Sequence, residues 1–167
     1  MTARDRMTWR PMRTADLPGV MALAAVVHPG FPEREAVFAE RLRLFPDGCC
    51  VHGGTEFDGY LVSHPWRAAD PPALDTMLGQ LPATAAVYYI HDLALHPALR
   101  GKGVAGAILR GLGPARAGLD GAELVAVNGS VPFWRHFGFE VANPPGMAAK
   151  LAAYGAHAHF MRRATVI

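Results

Sequence analysis

The residues with the clearest chemical potential lie close together in the sequence. His91 sits in an otherwise apolar stretch, and an imidazole with an ordinary pKa near 6.5 can accept a proton at neutral pH. Its neighbour Asp92 could orient a histidine or simply bond a loop. Nine residues on, Arg100-Gly101-Lys102-Gly103-Val104-Ala105 leads into an amphipathic helical pattern. The first N–H groups of a helix have no internal acceptor, so this turn beside Arg100 makes an anion cradle.

Other readings of the turn must be weighed. Gly101 and Gly103 could do no more than turn the chain. Gly101-Lys102-Gly103-Val104-Ala105-Gly106 also satisfies the dinucleotide fingerprint GxGxxG, with Asp120 downstream. Its context disagrees, because His96-Pro97-Ala98-Leu99-Arg100 separates the glycines from their strand and Asp120 precedes its candidate strand. A P-loop fits less well, since Gly103 follows Lys102 where Ser or Thr is needed.

The elements that must position these residues can be read from periodicity. Thr8–Arg13 reads as a first strand, and Asp16 before Leu17-Pro18 caps a helix whose stripe is Leu17, Val20, Met21, Ala24 and Val27. A second helix is expected from Glu33 to Leu44, burying Phe38, Leu42 and Phe45 against the same core. Cys49–His52 and Phe57–His64 form a hairpin across Gly53-Gly54-Thr55-Glu56. Residues 65–83 form a long loop with a short helix near Leu74–Leu81, and such connections often cover binding sites.

Ala86–Leu95 is the strongest strand. Strict alternation puts Tyr89, His91, Leu93 and Leu95 on one face and Tyr88, Ile90 and Asp92 on the other, unless a bulge intervenes. A helix over Gly103–Leu112 follows, then a strand at Glu123–Val127, a helical segment over Pro132–Phe137, an extension at Phe139–Val141 and a closing strand within His157–Val166. No linker or repeat divides residues 1–167, so one α/β domain is expected.

Composition narrows the function classes. A formal charge of +2 with no aromatic-basic stripe argues against nucleic acid. No apolar run approaches the roughly 18 residues of a membrane helix, and no signal-peptide pattern opens the chain, so a cytoplasmic location is expected. Cys49 and Cys50 are adjacent, and in a strand they face opposite sides, which argues against a bridge. The histidines show no metal-ligand spacing, and no metal is expected.

The segment Ile90–Ala105 resembles the cofactor motif of the GNAT superfamily of acetyl-CoA-dependent N-acetyltransferases, with Arg100, Gly103 and Ala105 on its three defining positions. Val125–Phe139, including Asn128 and the Gly138-Phe139 turn, resembles the family's later strand, helix and turn. The resemblance is specific across residues 86–139, and the order of elements agrees over nearly the whole chain. It implies a mixed, mostly antiparallel sheet flanked by helices. It further implies acetyl-CoA as donor, with Arg100, Gly101, Lys102, Gly103, Val104 and Ala105 on the pyrophosphate. Leu93, Ala94 and Leu95 would then lie along the pantetheine arm, with Asn128 contacting it.

The same resemblance places a base, acting directly or through water, at Tyr89 or His91. His91 is the better candidate, beside the alternative of a hydrogen-bonded structural histidine. The acceptor would be an amine, on a small molecule or a protein, attacking the thioester directly in a ternary complex; a homodimer is compatible with this reading. One departure stands out: Trp134 occupies a position where the family often has tyrosine to protonate the leaving thiolate, and indole cannot do so. Trp134 therefore reads as core beside Phe133 and Phe137, and a non-catalytic acyl-CoA sensor stands as the alternative.

Overall fold

A computed structural model of the chain describes residues 8–54, 56–112 and 118–164. Its strands are β1 (Trp9–Pro11), β2 (Cys49–Gly53), β3 (Phe57–Trp66), β4 (Val87–Leu95), β5 (Ala122–Ala126), β6 (Glu140–Val141) and β7 (His159–Arg163). They form one sheet in the order β1-β2-β3-β4-β5-β7-β6. Every pairing is antiparallel except β4 with β5. This is the mixed, mostly antiparallel α/β architecture expected from the sequence. It leaves no place for the dinucleotide reading, which needs a parallel sheet and glycines directly after their strand; a 3₁₀ turn, Pro97–Leu99, intervenes here.

Helices cover both faces. On one, α1 (Leu17–Val27) and α2 (Glu35–Leu44) bury Leu17, Val20, Leu23, Phe38 and Leu42 against Val51, Tyr60, Val62 and Ala94. On the other, α3 (Val104–Gly111) and α4 (Val131–His136) bring Ile108, Leu109 and Trp134 onto Leu61, Tyr88, Ile90, Leu124 and Phe139. Each fully buried apolar side chain contributes roughly 1.5–3 kcal/mol relative to exposure. A further short helix, α5 (Met147–Lys150), precedes β7 and was not anticipated. Cys49 and Cys50 face opposite clusters and are free thiols.

Three expectations need correction. Asp16 does not cap α1 with its side chain. Its carboxylate instead takes the Arg10 guanidinium at 2.7 and 2.9 Å and the Arg13 N–H at 2.8 Å, because a bidentate arginine competes better than a single backbone donor. Phe45 packs with the α3/α4 cluster rather than beside Phe38, since α2 has already ended and the chain has turned.

The third concerns residues 67–86, which contain no helix. Pro71-Pro72 and left-handed backbone at Ala69, Asp75 and Gly79 break any helical run. The segment is held instead by α2 and the residues before it. Glu40 accepts the N–H groups of Leu78 at 2.6 Å and Gly79 at 3.0 Å, and Glu33 accepts that of Asp75 at 2.9 Å. Arg41, fully buried, donates to the Thr76 carbonyl at 2.9 Å and to Glu40 at 2.9 Å.

Candidate active site

The site begins with a fault in β4. Its register against β3 runs Val62↔Asp92 and then Ser63↔Ile90, so His91 is the extra residue of a β-bulge. The bulge resets the alternation. Tyr88, Ile90 and Leu93 face the α3/α4 cluster, whereas His91 meets Phe38 and Asp92 meets Tyr60 on the α1/α2 side. The face assignment expected from strict alternation is thereby corrected: Asp92 joins His91, and Leu93 changes sides.

The second cause is divergence of the one parallel pair among the described residues. β4 and β5 are in register at Tyr88↔Ala122, Tyr89↔Glu123 and Ile90↔Leu124, and the ladder stops there. Beyond it the strands open a cavity of about 330 Å³. Ile90, Leu93 and Leu95 of β4 line one flank, and Leu124, Val125, Val127 and Asn128 line the other. Arg100 closes one end; Phe31, Glu33, Leu74 and Tyr154 lie toward the α1–α2 junction and the long loop.

Arg100 to Gly103 is exposed at this opening, while Ala105 is buried. Gly101 and Gly103 have φ values of 76° and 75°, in the left-handed region that favours glycine, and a Cβ on either would meet nothing within 4 Å. The backbone there is accessible, and the first N–H groups of α3 lack internal acceptors. The Trp9 indole donates to the Val104 carbonyl at 3.0 Å, fixing the start of α3 to β1. The residues expected to hold a pyrophosphate are thus brought together in one outward-facing turn.

Polar groups cluster on the α1/α2 side. His91 Nε2 lies 2.9 Å from Glu33 Oε1, with the two side chains only 1% and 6% exposed, and His91 Nδ1 is enclosed without a partner. His28, directly after α1, has Nδ1 accepting from the exposed Asn128 amide at 2.9 Å. Its Nε2 lies 3.0 Å from Asp92 Oδ1, within ion-pair range though off the hydrogen-bonding axis. Tyr60 donates to the other Asp92 oxygen at 2.5 Å.

These contacts shift proton affinities. Burial works against a charged His28, but Asp92 outweighs it and raises the imidazole above its ordinary value. Burial would likewise raise Asp92; His28 and the Tyr60 hydroxyl overcome it and hold the carboxyl below the usual range. Burial drives Tyr60 well up, so it remains a neutral donor.

No protein-family model matches the sequence, and neither does any curated protein sequence. Solved structures do match. A structure of GphF, a GNAT-like decarboxylase in complex with isobutyryl-CoA, is 18% identical and superposes over 94% of this chain and 98% of its own, with a TM-score of 0.73. The loading GNATL domain of CurA from Lyngbya majuscula is 12% identical, covers 94% and 96%, and reaches a TM-score of 0.75. Naa20 from Chaetomium thermophilum, in complex with a bisubstrate analogue, is 16% identical over 95% and 86% of the two chains, with a TM-score of 0.68. The chain has the GNAT fold.

Within this GNAT fold the expected residues fare unequally. Leu93, Leu95, Arg100, Asn128 and His91 line the cavity. Gly101, Lys102 and Gly103 form the turn at its end, Val104 and Ala105 begin α3, and Ala94 is buried against α1 and α2. Tyr89 is only 1% exposed, packed against His64, with burial and the neighbouring Tyr154 raising its pKa. Tyr154 reaches the cavity instead. Trp134 is 6% exposed and packs edge-on against Phe133 and Phe139, as its core reading expected. Glu33 was read only as the start of a helix; nothing in its local sequence signals that it meets a residue 58 positions away.

Proposed function

We propose that the chain is an acyl-CoA-dependent N-acyltransferase that moves an acetyl group from acetyl-CoA directly to an amine. The carrying observation is the cavity opened by the parting of β4 from β5, with the double-glycine turn and the start of α3 at its end. A thioester bound there would set its pyrophosphate on the backbone donors of residues 101–105 beside Arg100. Its pantetheine arm would lie along Leu93–Leu95, within reach of Asn128.

The GNAT fold supports this reading, and the GphF and Naa20 structures hold isobutyryl-CoA and a bisubstrate analogue. The cavity's acidic side chains, Glu33 and Asp92, suit an amine that arrives as a cation. No covalent enzyme intermediate is needed. Cys49 is buried, and burial pushes its thiol up to about 12, away from nucleophilic use. Holding both substrates in one cavity supplies proximity. The protein acts on soluble partners in this reading, as one domain over residues 1–167.

The test is product formation from acetyl-CoA with a panel of small amines and peptide amino termini. Transfer to any of them, dependent on intact Gly103, supports the assignment. A second reading, acyl-CoA binding without transfer, is favoured by the enclosed Trp134, which offers no thiolate acid. Tight acetyl-CoA binding with no product across the panel selects that sensor.

A further inference from the structure

Resting on the acyltransferase reading, we infer that His28 is the proton acceptor for the attacking amine, oriented by Asp92 and Tyr60, rather than His91. The expected base, His91, spends Nε2 on Glu33, and its Nδ1 is enclosed; its side chain is 1% exposed. His28 is arranged in the opposite way. Its Nε2 is turned inward to Asp92, which Tyr60 holds from behind, and its Nδ1 is turned to the exposed amide of Asn128.

That arrangement defines a tautomer. With Nδ1 accepting from the Asn128 N–H, the ring proton of the neutral imidazole is on Nε2, 3.0 Å from Asp92 Oδ1 but off the axis of a hydrogen bond. An amine presents the same kind of donor, so the Asn128 amide marks where an attacking N–H would sit. A carboxylate held beside one imidazole nitrogen raises the basicity of the ring, the logic by which an activated base is recognised. The bulge at His91 is what makes it possible, since without it Asp92 would face α3 and α4.

The step balances without a further reactant. The ammonium proton is first lost to solvent water; the neutral amine's lone pair then forms the C–N bond at the thioester carbonyl, and the remaining N–H proton passes to His28 Nδ1. The tetrahedral intermediate collapses, the C–S bond breaks, and the thiolate recovers a proton from the imidazolium through water. The products are amide and free thiol. The titratable groups acting on His28 are Asp92 of β4 and Glu33 before α2, while Tyr60 of β3 and His91 act on Asp92.

Two measurements test this. Imidazole ¹⁵N spectra of the ligand-free protein should show His28 as the Nε2–H tautomer at high pH, with a pKa above that of an ordinary histidine which falls in Asp92→Asn. An Nδ1–H tautomer would overturn the proposal. Pre-steady-state transfer at saturating acetyl-CoA, with the best acceptor from the amine panel, should slow about 100-fold or more in His28→Gln. The acetyl-CoA Kd should change less than about threefold, and the pH inflection should vanish. Asp92→Asn should move that inflection down. An unchanged rate and profile in folded His28→Gln would sink the proposal while leaving the acyltransferase reading intact. Failure of the wild type to acetylate any amine would remove both.

Discussion

The two walls of the cavity come from one strand and obey different physics. Toward α3 and α4, β4 contributes Ile90 and Leu93 to an apolar wall completed by Leu124 and Trp134. Toward α1 and α2 it contributes His91 and Asp92, each held by a partner far away in sequence, Glu33 and His28. A one-residue bulge separates them. The apolar wall needs only shape and volume, so it tolerates substitutions that keep both. The polar wall needs each buried group matched, so removing one partner leaves the other exposed to the full cost of desolvation.

That contrast can be broken most forcefully at Glu40, on the polar side. Glu40→Ala strips the fully buried Arg41 of its carboxylate and the Leu78 and Gly79 N–H groups of their acceptor. Losing one member of a buried pair costs about 3–5 kcal/mol, read as the change in unfolding free energy by denaturant titration. A loss below about 1 kcal/mol would show that the long loop is not fastened by α2.

The largest effect on cofactor affinity is expected from Gly103→Val, at the end of the cavity. A β-branched residue at φ 75° costs on the order of 1–2 kcal/mol in backbone strain, and its methyl groups would stand before the donors of α3. Acetyl-CoA affinity by calorimetry should fall at least about tenfold, since 1.4 kcal/mol is a factor of ten. Unchanged affinity in folded protein would detach the turn from cofactor binding.

On the apolar wall, Trp134→Phe keeps an aromatic ring and should leave the chemical rate within about threefold. Trp134→Ala should destabilise by about 3–5 kcal/mol through the cavity it opens. A collapsed chemical rate in Trp134→Phe, with acetyl-CoA still bound, would give the indole a part in the reaction.

The smallest effect is a pH signature of the polar wall. His28 is raised in the fold, so its contribution is complete below about pH 6.5 and fades as pH climbs through the folded value. Asp92 is lowered, so its contribution is complete above about pH 4 and fades as pH falls through the folded value. The Tm gap between wild type and His28→Gln should therefore be widest between about pH 4 and 6.5 and narrow above that. A gap that stays constant up to pH 9 would mean that the pair does not form. The proton acceptor is needed in its neutral form, so transfer should quicken over the range in which this stabilisation declines.

Local pattern made much of this readable beforehand. The stripe of α1, the β2–β3 hairpin, β4, and the glycine turn before α3 all follow from spacing and residue type, because neighbours in the chain supply the information. The long loop was only partly readable: its length marked it as a loop, yet the carboxylates that fasten it, Glu33 and Glu40, lie just before α2 and on it.

What the sequence determined by itself, then, is the run of elements and the turn at residues 100–105, since backbone preference and periodicity act over a few residues. Only the tertiary structure decided which imidazole is enclosed and which is presented. That choice depends on a bulge that reverses the side on which Asp92 lies, and on contacts spanning 58 residues for His91–Glu33 and 100 for Asn128–His28. Two histidines of identical intrinsic chemistry were distinguished by packing, because burial and a fixed carboxylate decide which nitrogen can meet a ligand.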